Sequence, residues 1–189
     1  MALTPIALCS RALIKLGARP IASFVEGTVE SQVAAALFAS VRDSLISAHP
    51  WSFATAQTTH ARLATPPVAD HRNAFQLPAD FLRALSVGGA GRGRGAEYRI
   101  AEATLQTDLD EVVLSYIFRP DESAFPPFFD SVLIATLAAE FCLPITESTS
   151  RAELLHKLAD GEFRRARLID AQQDTPGRVE DFTLVEVRR

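Results

Sequence analysis

Few of the residues that build disulfides or metal sites occur in this chain of 189 residues, which has two cysteines and four histidines. This count excludes a disulfide-stapled scaffold and most Cys/His metal modules. The histidines have no metal-ligand spacing with one another or with the cysteines. Cys9 and Cys142 lie in apolar segments with helical spacing, so we expect them to be small core side chains. The sequence therefore predicts no metal and no cofactor.

Positive charge is also scarce. Lysine and arginine total 19 against 23 aspartates and glutamates, which gives a formal net charge of −4. A mildly acidic chain does not coat nucleic acid by bulk charge, so that class of protein is excluded. No uninterrupted apolar run reaches the ~18 residues of a membrane span, and the N-terminus has no basic stretch of the kind that begins a secretion signal. We therefore expect a product made in the cytoplasm, with no membrane partner.

Two helices are predicted in the first part of the chain. Thr4 and Pro5 are typical of a helix start, and the apolar spacing that follows predicts a helix over about 5–17. A second helix, capped by Thr28, is predicted to continue to about residue 48.

Helical spacing returns after residue 126. Asp130 is the predicted cap of a helix that is apolar nearly all round, which is typical of the most buried helix of a bundle. Pro144 is expected to end or kink it. Ser150, with a glutamate three residues later, forms a capping-box pattern for a last helix. The predicted apolar face of that helix consists of Leu155, Leu158, Phe163, Ala166 and Ile169.

Between these two pairs of helices lie short segments separated by turn residues. Strands are predicted at 74–77, 82–87, 98–100 and 111–118. The predicted fold class is α+β: a mainly α-helical bundle of about four helices with an inserted small antiparallel β domain. The predicted parts are a bundle, an insert and an extended C-terminal arm, formed by residues 1–50 with 126–172, by 51–125, and by 173–189.

Large aromatic side chains mark the two places where the insert leaves and rejoins the bundle. Trp51 and Phe53 follow the second helix, whereas Phe125, Phe128 and Phe129 precede or begin the third. Because the insert leaves and returns between the same two helices, the two junctions must be close in space. We predict one shared aromatic cluster that fixes the insert against the bundle.

A glycine-rich loop at 88–95 carries two arginines, Arg92 and Arg94. It is not followed by Gly-Lys-Ser or Gly-Lys-Thr and does not open a helix, as a phosphate-cradling loop does. A flexible hairpin tip is the simplest interpretation. A further interpretation is a mobile loop whose Arg92 and Arg94 contact a partner protein or a DNA phosphate. The alternative function is a small DNA-binding module that uses Arg92, Arg94 and Arg99, although residues 50–127 hold more acidic than basic side chains.

The sequence contains no motif of nucleophilic catalysis, since a Gly-x-Ser-x-Gly elbow is missing. Asp108, Asp110 and Glu111 form a small acidic cluster, and paired carboxylates can perform acid–base chemistry. Beside predicted strands such residues are more typical of solvated turns. We expect no enzyme, and an activity based on the carboxylates near Asp110 is the weakest alternative.

Apolar side chains reappear in the otherwise polar C-terminal segment 173–189, where Phe182, Leu184 and Val187 follow a predicted turn at 174–177. An apolar tail without a partner of its own is a candidate for docking on another surface. The alternative is a terminal strand packed on its own domain.

The order of these motifs resembles that of the tail tubular protein A family of short-tailed phages. The resemblance covers roughly residues 5–172 and is carried by Leu8–Gly17, Ile21–Phe24, His49–Phe53, Leu77–Arg83, Phe125–Phe129 and Leu137–Glu140.

This resemblance implies a structural head-to-tail adaptor of a phage, a prophage or a phage-derived particle. Such proteins form a ring, typically dodecameric, below the portal protein. The ring extends the DNA channel and docks the next tail component, the nozzle. The implied partners are further copies of the chain, the portal, the nozzle and the duplex DNA that passes without sequence-specific binding, all at the head–tail junction of the virion.

The resemblance also implies a role for the C-terminal arm, which contacts the portal and neighbouring subunits in that family. Residues 173–189 would be this arm, with Phe182, Leu184 and Val187 as its anchors. A mild negative charge suits a channel that lets DNA pass without holding it.

Overall fold

The structure, a computed structural model, describes residues 3–89 and 93–173. Within these ranges the chain forms four α-helices and two three-stranded antiparallel sheets, so the predicted α+β class is confirmed. All six strands lie between the second and the third helix.

The first two helices are α1 (Pro5–Lys15) and α2 (Val29–Ala48). Each begins as predicted, because the Thr4 and Thr28 hydroxyls accept hydrogen bonds from backbone N–H groups in the first turn. Helix α1 ends two residues before the predicted boundary. The chain turns away there through Gly17, whose positive φ of 73° is a left-handed conformation that favours glycine.

The last two helices are α3 (Pro127–Thr146) and α4 (Thr149–Asp170), and two local predictions for them are wrong. Asp130 lies inside the first turn of α3, which begins at Pro127 because a proline at the first position needs no partner for its missing N–H. Pro144 lies inside the last turn, two residues before the helix ends. Helix α4 begins earlier than predicted, since the Ser148 hydroxyl rather than that of Ser150 accepts the capping bond.

Helix α3 is the centre of the bundle, and each of the other three helices packs against it. Ten of its twenty side chains are buried. By length and composition α3 could cross a bilayer, and a buried core helix passes the same test. Here the apolar surface of α3 is covered by α1, α2 and α4.

The insert contains two sheets, with the strand orders β1-β6-β3 and β2-β5-β4. The strands are β1 (Thr55–His60), β2 (Asn73–Gln76), β3 (Phe81–Gly88), β4 (Arg99–Ala101), β5 (Thr104–Thr107) and β6 (Val112–Phe118). Strands β2, β3, β4 and β6 lie within a residue of the predicted segments. Strands β1 and β5 are additional, because β1 is mostly polar and β5 is only four residues long, so neither has a clear apolar alternation.

The first sheet separates the bundle from the second sheet. On one face of it, Ile117 and Leu82 join the bundle core. On the other face, Leu114 packs with Phe75 and Leu105 of the second sheet in a smaller core. Because side chains alternate between the two faces of β6, this strand contributes to two separate apolar cores. The bundle, the first sheet and the second sheet thus form three layers.

Candidate assembly surfaces

The five aromatic residues of the predicted junction lie together. Phe129 is the centre of this junction cluster: its ring centroid is 4.8 Å from that of Phe125, 4.9 Å from Phe53 and 5.3 Å from Trp51. Phe128 lies at the edge, 6.3 Å from Trp51. Most of these pairs are edge-to-face, which is the favourable arrangement for aromatic rings.

Trp51 connects the junction cluster to the rest of the bundle. Its side chain is fully buried, and its indole N–H donates to the Leu45 carbonyl of α2 at 3.1 Å. Phe163 of α4 adds a sixth ring, 5.6 Å from Trp51 and nearly perpendicular to it. The cluster therefore joins the starts of the insert and of α3 to the last part of α4.

A buried carboxylate at the end of α4 adds a polar contact to this junction. Asp170 is 5% exposed and accepts hydrogen bonds from the Ser52 backbone N–H and, at 2.7 Å, from the Ser52 hydroxyl. The sequence analysis missed this contact. The available signal was the position of Asp170 on the buried stripe of α4, four residues after Ala166.

His49 lies beside Asp170, with 3.7 Å between its Nε2 and a carboxylate oxygen. Burial and then Arg167 lower the pKa of His49 below its usual value, although Asp170 acts in the opposite direction. A serine, a histidine and an aspartate thus meet, but the serine hydroxyl donates to the aspartate. A nucleophilic serine donates to the histidine, so this group has the geometry of a structural contact.

A network of charged side chains holds the end of the insert against α2. The Asp43 carboxylate accepts hydrogen bonds from Arg119 at 2.7 and 3.0 Å and from Arg42 at 2.9 Å, and Arg42 also binds Glu122. Partial burial alone would raise the pKa of Asp43, but the hydrogen bonds from Arg119 and Arg42 outweigh it and hold the pKa below its usual value. Together with the junction cluster, this network fixes the two parts of the chain relative to each other.

The glycine-rich loop is described only at its two ends. Arg92 lies outside the described residues, whereas Arg94 lies in an open depression that is also lined by Asp110 and Glu111. The end of the loop is fixed at Gly93, whose carbonyl accepts a 2.6 Å hydrogen bond from Ser86. A Cβ at Gly93 would lie 2.7 Å from the Ser115 hydroxyl oxygen, so glycine is required for this close approach.

The structure does not bring Arg94 and Arg99 into one basic surface. Arg99 lines a different depression, where it forms a 2.8 Å ion pair with Asp70. In the acidic cluster, Asp110 pairs with Arg62 and Asp108 accepts the Arg72 backbone N–H. Acidic neighbours thus accompany the arginines of the proposed DNA-binding alternative.

Helix α4 exposes large apolar side chains on the side that faces away from α3. Leu154, Leu158 and Leu168 are 58%, 56% and 68% exposed. They lie on one face of the helix because Leu158 and Leu168, four and fourteen residues after Leu154, each point within about 40° of its direction. We call these three side chains the outer face of α4. The predicted apolar face of α4 is confirmed in part: Ala166 is buried, and Leu155 and Phe163 pack against the bundle core. It is wrong for Leu158 and Ile169, which are exposed.

Three further apolar side chains are exposed near the connection between α1 and α2. Ile14 in the last turn of α1, Val25 in the connector and Val29 at the start of α2 are all more than half exposed. Two acidic residues, Glu26 and Glu30, accompany these side chains in the sequence. We call this set the connector patch.

Phe182, Leu184 and Val187 lie outside the described residues. Among the residues that are described, no three histidine, cysteine, aspartate or glutamate side chains are grouped as a metal site would require. Neither a protein-family model nor a curated protein matches this sequence.

Proposed function

We propose that this chain is a structural head-to-tail adaptor of a phage or phage-derived particle. Copies of it assemble into a ring below the portal, where the ring extends the DNA channel and docks the next tail component. The single observation that carries this proposal is the outer face of α4, three exposed leucines on a helix whose fully buried apolar side chains are all alanines. Exposed apolar side chains that share one face are typical of a surface that binds another protein.

A ring requires two different surfaces on each subunit, because a head-to-tail contact repeated around an axis closes on itself. The outer face of α4 and the connector patch form such a pair. Charges of both signs flank each surface: Lys157, Arg165 and Glu162 are near the leucines, and Lys15 and Glu30 are near the connector patch. A contact between the two surfaces would be apolar at its centre, with pairs of opposite charge at its rim.

The fixed junction between bundle and insert also supports this function. A channel component must keep its shape while DNA passes, and the aromatic cluster and the Asp43 network hold the two parts together. The DNA-binding alternative is less well supported because Arg99 is paired with Asp70 and Arg94 has acidic neighbours.

The test is electron microscopy of the purified protein mixed with its portal. We expect a ring that caps the portal. The variant Leu158→Glu, which places a charge on the outer face of α4, should lose the ring. The matched control Val68→Glu changes an exposed valine of the insert in the same way and should keep it. A portal that remains bare with the unmodified protein would overturn the proposal.

A further inference from the structure

A groove lies between α2 and α4, over the surface of α3. Helices α2 and α4 both end at the aromatic junction and both pack on α3. The space between them has a volume of about 410 Å³, and most of its lining is apolar, with the side chains Leu37, Val41, Leu45, Ala48, Ala159 and Phe163. We call it the α2–α4 groove.

The charged side chains at the two ends of the groove have opposite signs. At the junction end lie Ala48 and Phe163, with the Arg167 guanidinium 5.9 Å from the centre of the Phe163 ring. Farther from the junction the exposed carboxylates of Asp160 and Glu140 line the groove. A segment that fits it would be acidic where it enters, apolar in the middle and basic at the far end.

We propose that the C-terminal segment of the same chain, residues 179–189, occupies the α2–α4 groove in the free subunit. The chain leaves α4 at the correct place for this. Asp170 at the end of α4 holds Ser52, which follows α2 by four residues, so the segment starts at the junction end of the groove.

The length of the segment is sufficient. From Leu37 to Ala48 the groove runs for ~16 Å, at 1.5 Å per helical residue. The 16 residues after Gln173 can reach up to ~50 Å.

The order of side chains in the segment matches the groove. Glu180 and Asp181 come first and would meet Arg167. Four apolar side chains follow and would occupy the apolar middle of the groove: Phe182, Leu184, Val185 and Val187. Arg188 and Arg189 come last and would meet Glu140 at the far end, whereas Glu186 is the one acidic side chain among the apolar residues. The inference does not depend on ring formation, because it concerns one isolated subunit.

Paramagnetic broadening in NMR spectra tests this occupancy on the full chain. A nitroxide is attached to the variant Leu184→Cys. The native Cys9 and Cys142 are buried, and burial raises the pKa of Cys9 to about 12, so neither competes for the label. We expect the amide signals of Ser40 and Ser44, in the groove, to lose more than half of their intensity.

The signal of Ile100, in the second sheet beyond the first one, is the internal control and should keep its intensity. Ala35, on the opposite side of α2 from the groove, is the site of the control variant. Adding Ser44→Arg, which places a cation in the groove, should restore the broadened signals, whereas Ala35→Arg should not. Intact groove signals in the labelled chain would overturn the proposal. A second sample mixes isotope-labelled chains that carry no nitroxide with nitroxide-carrying chains that have no isotope label. Broadening of the groove signals in this mixture would also overturn the proposal, because the segment of one copy would then occupy the groove of another copy.

Discussion

Helices α3 and α4 form the most extensive helix–helix contact of the bundle, but they use their apolar side chains in opposite ways. In α3, leucines and phenylalanines such as Leu137 and Phe141 are completely buried. In α4, the fully buried apolar side chains are alanines, and three of the four leucines are more than half exposed. The comparison shows that apolar content alone does not identify the core of this protein. A leucine in α3 contributes to folding, whereas a leucine on the outer face of α4 is available to another molecule.

The largest expected effect is that of removing a leucine from α3. Leu137→Ala leaves a cavity in the bundle core, which we expect to lower the free energy of unfolding by about 3 kcal/mol. Urea denaturation followed by circular dichroism measures the loss. If Leu137→Ala and Leu158→Ala were equally destabilising, the distinction between the two helices would be wrong.

The second effect concerns the one charged side chain that α4 buries. Asp170→Ala leaves the N–H and hydroxyl of Ser52 without their acceptor, and we expect a loss of about 2 kcal/mol. The exposed Asp160 of the same helix is the control, since Asp160→Ala should change stability by less than about 0.5 kcal/mol. Equal denaturation midpoints for the two variants would show that the Asp170 contact contributes nothing to stability.

The third effect concerns Asp130, a half-buried carboxylate in the first turn of α3. Burial raises the pKa of Asp130 above its ordinary value of 3.8, despite the opposing influence of Arg11. At pH 7 the charged Asp130 carboxylate therefore lowers the free energy of unfolding. This destabilisation disappears as the pH falls from above the raised pKa of the folded state to below the pKa of the unfolded state. Asp130→Asn should be more stable than the unmodified protein at pH 7, and this difference should shrink on acidification. A difference that does not change between pH 7 and pH 3 would contradict the assignment.

The smallest expected effect on stability is that of Leu158→Ala. The side chain is more than half exposed, so we expect the free energy of unfolding to change by less than about 0.5 kcal/mol. Binding to the portal should weaken in the same variant, measured by the amount retained on immobilised portal. A variant that is less stable but binds normally would assign Leu158 to the core instead.

Much of the fold could be predicted because local signals were strong. Thr4 and Thr28 are good caps beside clear apolar spacing, and β6 alternates between its two faces. Strand β1 could not be predicted, since Thr55–His60 is mostly polar and its hydrogen bonds come from pairing with β6, a distant segment. The fold class follows from local patterns, whereas the sheet partners depend on tertiary contacts.

The candidate surfaces were harder to predict from the sequence than the fold. In α4 the leucine spacing and the alanine spacing are both helical, and only the tertiary structure shows that the alanines face α3. The junction aromatics could be predicted as neighbours because the connectivity of the insert requires it. The pairing of Asp170 with Ser52 joins residues 118 positions apart, and a single sequence has no signal for such a distance.

The most direct test of the adaptor function is the mass of the portal complex, measured by native mass spectrometry. If the chain is an adaptor, the portal gains a fixed whole number of 20.5 kDa subunits, in a ring with the rotational symmetry of the contact. Leu158→Glu should prevent this gain and Val68→Glu should not. A portal whose mass stays unchanged in excess unmodified protein would contradict the adaptor function.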